Sequence, residues 1–475
     1  MYTSTQQLQQ KELPWRDTNH SPLTGNDLRN LVIEASVREE TEDDDDSFLN
    51  VPGIAWLEHV NLIVGGTDRQ MATTFYIDIM GMTADKSKSF HVNLGRQQFH
   101  LAIPRDDDDD EEEEIPHRIS GSIGLAVPDI YALKERLIQA KEEEENNNNN
   151  KNIFCDTLFD FYEEKVKKEE GIDGDVTDTT ILIVRCPWGN IFRCYSANDR
   201  GKITTASSPS QQKMTNLHSI QIGQHGPDKM GVLSVGQPGI RYIEFLCPYG
   251  SSNQIYNFYR TILRCSCYCT NVNTTTSRTS TNDSDSDINN DKIVSCCVVS
   301  VGPGVHLVFV EESESKSYSN NHSELSSSSL LASNSAAATA AATAAAATPT
   351  TDNDSSDDTM TTMNKKMMKG VHICIYVHDF YGLYNRLTDN SLIWTNPRFV
   401  RLDTCNTWEE AKKSRTLRFR YIIDINNQKH DESNNKDNQL VGSTSVGSNI
   451  LMELEHETRP IRHGQFMKVP YYVPK

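Results

Sequence analysis

One pattern of residues occurs twice in this chain, and a second pattern follows each copy. Self-similarity of this kind constrains a fold more than composition does, because each repeat must form the same supersecondary unit. The segment WLEHVNLIV (56–64) alternates apolar and polar residues and reads as a strand. DRQMATTFYIDIMGM (68–82) has apolar residues at helical spacing and ends at a glycine suited to a C-cap. FHVNLG (90–95) and QQFHLAIP (97–104) read as two strands joined by a tight turn at Gly95 and Arg96. The same order returns in RYIEFLCP (241–248), SNQIYNFYRTIL (252–263) and CCVVSVGPGVHLVFVEE (296–312). Phe258-Tyr259 stands where the first unit has Phe75-Tyr76, and Val305-His306-Leu307 matches Phe99-His100-Leu101.

The second pattern is SIGLAVPDIYALKERL (122–137), repeated as HICIYVHDFYGLYNRL (372–387). Both carry Val, Asp, Tyr, Leu and Arg-Leu at identical offsets. Each begins as a strand and turns, at an Asp that is a good N-cap, into an amphipathic helix. The closing strands are ILIVRCPWGNIFRCY (181–195), and RFRYIIDINN (418–427) with NILMELEHE (449–457). The chain therefore reads A-B-A′-B′, each unit in the order β-α-β-β-β.

Charge and low-complexity segments lie between these elements. The formal net charge is −20, and the acids at 39–46, 106–114 and 142–145 number twenty. Like-charge runs repel and usually lie in solvated loops, so the repeats themselves are near neutral. No basic stripe accompanies them, which excludes an ordinary nucleic-acid binder. NNNNN at 146–150 and the polar stretches 270–291, 313–368 and 428–446 also fall at element boundaries, where a long loop costs little closure entropy. The N-terminal residues have no apolar core of a secretory signal, and no window is apolar enough to span a membrane. The expected setting is a reducing cytoplasm with free thiols. Cys265, Cys267 and Cys269 lack zinc-knuckle spacing and suit the one face of a strand as small apolar groups.

Four β-α-β-β-β units in two pairs resemble the vicinal oxygen chelate superfamily, which includes glyoxalase I, bleomycin-resistance proteins and extradiol dioxygenases. EHVNLIV (58–64), GLAVPD (124–129) and CPWGN (186–190) carry the resemblance, the last with Cys186 in place of the aspartate of a D-P-x-G-N turn. The resemblance implies an α+β fold of two half-open, mixed-sheet cups. It also implies a first domain at 52–197, a linker at 198–237 and a second domain at 238–460, between a disordered tail at 1–51 and a C-terminal tail at 461–475. In that superfamily a cup holds a divalent metal through His, Glu or Gln on the first and last strands of its units. Open coordination positions then polarise vicinal oxygens of a small-molecule substrate.

Carried over by consecutive pairing, A with B and A′ with B′, the first cup has His59, His100, Ser122 and Arg193. A guanidinium has no lone pair to give a metal. Either His59 and His100 are satisfied inward histidines, or with Arg193 they bind a substrate anion. The second cup has Tyr242, His306, His372 and Glu453, and Glu455 and Glu457 follow on the same strand face two and four residues on, so the register could slip by two. His306, His372 and Glu453 or Glu455 are the expected ligands for Fe, Mn, Zn or Ni, with Tyr242 as a catalytic acid. On this reading, metal is lost on removing His372 but not His59. Two other classes fit the resemblance. One is a metal-free binding protein using aromatics such as Trp56, Phe99 and Trp188, and the other a scaffold whose insertions carry interactions.

Overall fold

A computed structural model describes residues 21–41, 53–64, 69–85, 90–102, 116–146, 153–154, 157–165, 180–197, 238–274, 292–302, 304–313, 370–400, 403–426 and 449–467. The acidic run at 106–114, the asparagines at 147–150 and the stretches 275–291, 314–369 and 427–448 lie outside the described residues.

Unit A comprises β1 (Ile54–Ile63), α2 (Arg69–Thr73, widening into a π turn at Thr74–Ile79), β2 (Thr83–Ala84), β3 (His91–Leu94) and β4 (Gln97–Ala102). Unit B comprises β5 (Ser122–Val127), α3 (Ile130–Asn146), β6 (Asp160–Lys165), β7 (Thr180–Arg185) and β8 (Ile191–Ser196). A′ repeats A as β9 (Gly239–Cys247), α4 (Ser252–Phe258, with a π turn at Tyr259–Leu263), β10 (Cys267–Thr274), β11 (Lys292–Ser300) and β12 (His306–Glu311). B′ has β13 (His372–Val377), α5 (Phe380–Asp389), α6 (Trp408–Ser414), β14 (Leu417–Ile423) and β15 (Ile450–Pro460). In B′, α6 follows the first helix where B has β6. Thr407 and Glu410 close a capping box at its start, which favours helix at that point.

The units do not pair in chain order. One sheet has seven strands in the order β14-β15-β13-β1-β4-β3-β2, so A joins B′. The other has eight, β10-β11-β12-β9-β5-β8-β7-β6, so A′ joins B. The first strands meet antiparallel at each centre, β1 on β13 and β5 on β9. Consecutive pairing, on which the ligand assignment rested, is therefore replaced by crossed pairing.

The repeated Arg-Leu explains what consecutive units do share. Arg136 Nε donates to Ile79 O at 2.7 Å, and Arg386 Nε donates to Ile262 O at 2.6 Å. In both cases the arginine of the B-type helix satisfies a carbonyl at the end of the preceding A-type helix, a group left without an intrahelical partner. Asp129 and Asp379 cap their helices by accepting from backbone N–H groups, as their position in the repeat suggested. One apolar core, with Phe75, Tyr76, Phe258 and Tyr259 fully buried, connects both sheets through these helices.

The CPWGN turn is built as a clamp. Gly189 takes φ +97°, a left-handed conformation that favours glycine, and its N–H donates to Cys186 O. Cys186 Sγ accepts from Asn190 N–H at 3.1 Å, and the Asn190 side chain bonds His117 O and Ile119 N–H. Sulfur thus takes over the acceptor position that aspartate was expected to fill.

The segment expected to be a disordered tail contains α1 (Gly25–Thr41), which docks on the eight-stranded sheet. Leu28, Leu31 and Val32 lie on one helical face at i, i+3 and i+4, and with Leu23 they pack against Val294, Cys296, Val298, Val308 and Val310. Burial of each such side chain contributes roughly 1.5–3 kcal/mol before ordering costs. The neighbouring acidic run masked this short apolar face in the sequence.

Candidate metal centre

The centre of the seven-stranded sheet gathers polar side chains that are far apart in the chain. Strand register slips between Leu57 and His59 against β13, a bulge that brings Glu58 and His59 toward Cys374 and Tyr376. His372 stands opposite Glu455, and Cys374 opposite Glu457, on the parallel pair β13–β15. Side chains two apart on a strand share a face, so Glu455, Glu457 and Arg459 point the same way.

The result is a buried cluster. His59, His372 and Glu457 offer nitrogen and oxygen atoms that all lie within 4.8 Å of one another. Glu457 Oε2 is 3.6 Å from His372 Nε2 and 4.0 Å from His59 Nε2. His100 stacks on His59 with ring centroids 3.6 Å apart, and His91 stacks on the other side of His100 at 3.6 Å. His59 is 1% exposed, and neither ring nitrogen has a partner within hydrogen-bond distance: Nδ1 faces Glu58 at 3.8 Å and Nε2 faces Glu457 at 4.0 Å. Each such orphan costs about 1–3 kcal/mol unless something bonds it.

Two guanidiniums set the electrostatics. Arg418 donates to Glu455 and to Glu457 at 2.7 Å each, and Arg459 pairs with Glu457 and approaches Glu58. Burial alone would raise the Glu457 carboxyl, but Arg418 and Arg459 outweigh it and hold the group well below its ordinary range. For Glu455 burial prevails over Arg418 and Asn396, and its carboxyl is raised. Asn396 Nδ2 donates to both Glu455 oxygens, at 3.0 and 2.9 Å. Burial pushes His372 and His100 well below their ordinary values, so both rings are neutral at pH 7.

The residues present fit a divalent cation. A carboxylate has about four lone-pair directions, so Glu457 retains acceptor capacity beyond its two guanidinium contacts. Neutral imidazoles and an ionised carboxylate form a donor set suited to Zn, Fe, Mn or Ni.

The residues singled out from sequence divide between the sheets. His372 lies in this cluster together with His59 and His100, and Glu455 adjoins it through Arg418. Glu453 lies further along β15, opposite Tyr421. His306, Tyr242 and Arg193 belong to the eight-stranded sheet, so His306 and His372 do not share a cup. Register also shifts the motif match: Gln98 is opposite His59 and His306 opposite Tyr242, so Val308 occupies the position of His100. Trp56, Phe99 and Trp188 lie in the main core. Sequence reading gave no role to Arg418, Arg459, His91 or Glu58, whose relevance depends on strands distant in the chain.

In the second cup Ser122 Oγ donates to Glu244 at 2.5 Å, and Arg193 Nε donates to Ser122 Oγ at 3.1 Å. Arg193 Nη2 donates to Leu23 O at 3.1 Å. Tyr242 lies flat over Gly124, where a Cβ would come within 2.1 Å of its ring.

Four related units in two mixed sheets, with first strands meeting at the centre of each sheet, form an α+β architecture of paired β-α-β-β-β units. No protein-family model and no curated protein matches the sequence. Among solved structures, the chain is similar to a variant of glyoxalase I from Zea mays, at 11% identity over 85% of this chain and 92% of that one, with a TM-score of 0.36. Unsubstituted glyoxalase I from Zea mays matches at 14% identity over 54% of this chain and 66% of that one, with a TM-score of 0.26. A virulence protein from Salmonella typhimurium matches 30% of this chain and 97% of its own at 17% identity, with a TM-score of 0.19. The fold assignment rests on the chain's own strand order and repeats.

Proposed function

We propose that the seven-stranded sheet holds a divalent metal through His59, His372 and Glu457, with His100 beside them. On this reading the protein is an enzyme of glyoxalase or dioxygenase type that acts on a small molecule with vicinal oxygens. The observation that carries it is the convergence of these donors around a buried His59 whose ring nitrogens lack hydrogen-bond partners. When bound, the ion supplies Lewis acidity toward the oxygens of a substrate.

The chain's own groups have distinct parts in this reading. Arg418 and Arg459 keep Glu457 ionised, so it serves as an anion and not as a proton donor. Glu455 shares Arg418 but titrates higher, which suits it to hold and release a proton beside the centre. Asn396 fixes the orientation of that carboxyl.

A second reading is a metal-free protein that sequesters a small ligand in the same cup. It is favoured by the two guanidiniums already on Glu457. Metal analysis of the full chain, purified without chelator from medium replete in iron, manganese, zinc and nickel, separates the two. The enzyme reading expects about one ion per chain, lost in His59→Ala and in His372→Ala but retained in His306→Ala. A folded chain that retains no metal supports sequestration instead.

A further inference from the structure

The cup of the eight-stranded sheet contains chemistry that the metal centre does not use. Arg193 lies half-buried at its middle, in a chain of contacts with Ser122 and Glu244. Tyr242 is 0% exposed, and its hydroxyl has no hydrogen-bond partner. Around these groups the surface is apolar, with Val294, Val298, Val308 and Val310 on one side and Ile181, Ile183 and Ile191 on the other.

What fills this cup is the chain's own N-terminal segment. Leu23 inserts an aliphatic side chain and places its carbonyl oxygen on the Arg193 guanidinium. Just beyond, Gly25 and Asn26 donate their backbone N–H groups to Glu164, at 3.1 and 3.3 Å. Glu164 Oε2 in turn lies 3.8 Å from Arg193 Nη1. Further along α1, its apolar face packs on the sheet and Tyr268 Oη donates to Leu31 O. An oxygen acceptor on a half-buried guanidinium, next to an aliphatic group in an apolar wall, is the way a small carboxylate with an apolar body would be bound. A carboxylate would bond the guanidinium more strongly than a backbone carbonyl does, because both partners are charged.

We propose that the eight-stranded sheet carries a second ligand site, for a carboxylate with an apolar body, which the segment from Ser21 through α1 occupies in place of that ligand. Arg193 recognises the carboxylate, and the valine and isoleucine surface takes the apolar body. Binding of the ligand and docking of Leu23 are mutually exclusive, so the ligand releases the start of α1. The site is independent of the metal reading, because it uses no residue of the seven-stranded sheet.

The test uses the full chain, with octanoate as probe and octanol as its uncharged counterpart. Hydrogen exchange is followed at the backbone amides of Leu28, Leu31 and Val32. Saturating octanoate is expected to speed their exchange by about tenfold or more, with a saturable midpoint, while octanol at the same concentration does not. Arg193→Met is expected to raise the octanoate midpoint roughly ten- to a hundredfold, the value of a charge-assisted hydrogen bond. Leu28→Asp, which loosens the docked helix, is expected to lower it. Unchanged exchange in octanoate, an equal response to octanol, or a midpoint indifferent to Arg193→Met overturns the proposal. The octanoate-octanol comparison needs no variant, so it decides the matter even if a substituted chain does not fold.

Discussion

Arg193 and Glu457 occupy the same register position in equivalent strands, Arg193 opposite Gly124 and Glu457 opposite Cys374. The same equivalence sets Ser122 against His372 and Tyr242 against His59. One scaffold position thus carries a carboxylate that suits a cation in one sheet and a guanidinium that suits an anion in the other. Chemistry has diverged at this position while the order of the central strands is shared.

The Arg418 guanidinium is the shared counterion of two buried carboxylates, Glu455 and Glu457. Removing one member of a buried ionic network leaves uncompensated charge. Arg418→Met is expected to cost about 3–5 kcal/mol, measured by urea denaturation at pH 7. A change under about 1 kcal/mol would show that the carboxylates find other partners.

Acid sensitivity begins with buried neutral histidines. His456 donates from Nδ1 to Leu454 O, which leaves Nε2 to accept from Tyr259 Oη, and burial pushes the ring down to about 3. Burial, with Arg398 nearby, pushes His117 down to about 4. Both bind a proton in the unfolded chain near pH 6.5 but not in the folded one, so their contribution is full above 6.5 and falls as pH drops toward these lower values. Unfolding free energy is expected to fall by about 1.4 kcal/mol per pH unit for each histidine over this window. Below about pH 4.5 Glu457 adds to the slope, because its folded value is depressed. Chemical denaturation from pH 7 to 4, repeated with His456→Gln, is expected to show one fewer proton in the slope. An unchanged slope would assign the proton elsewhere.

Gly124 is required by the ring of Tyr242 above it. Gly124→Ala is expected to destabilise by about 1–3 kcal/mol through overpacking. Tyr242→Phe removes a buried hydroxyl with no partner and is expected to be neutral or stabilising by up to about 1 kcal/mol. Thermal melts of the two variants are expected to shift in opposite directions, or only the first to shift.

Cys269 and Cys297 face each other across β10 and β11. Hydrogen bonding from Cys297 lowers the half-buried Cys269 thiol, whereas burial pushes Cys267, two residues before it, up to about 12. Because the thiolate is the reactive form, Cys269 is expected to be alkylated by iodoacetamide before Cys267 at pH 7.5. Peptide mass mapping over a time course reads the order, and earlier labelling of Cys267 would contradict it.

Much of this architecture was legible in the chain. Repeated apolar spacing placed the four units, and Asp129 and Asp379 marked the helix starts, although the acids at 142–145 continue α3 and residues 270–274 belong to β10, where loops were expected. These are local properties, fixed by side-chain period and capping, and the sequence displays them directly. Pairing of A with B′ was not legible, because the edge chemistry of first strands is generic and β1 can pair with β5 or β13 by the same backbone bonds. The donor set followed from that pairing: His59 and His372 meet only once β1 lies beside β13, and a slip of four residues along β15 selects Glu457 over Glu453. The occupied second cup was likewise beyond the sequence, since Leu23 and Leu28 acquire meaning only against the valines they cover. What the sequence determined by itself was the unit and its repetition; tertiary structure decided which units share a sheet, and hence which side chains share a site, because register and partner choice depend on contacts between residues hundreds of positions apart.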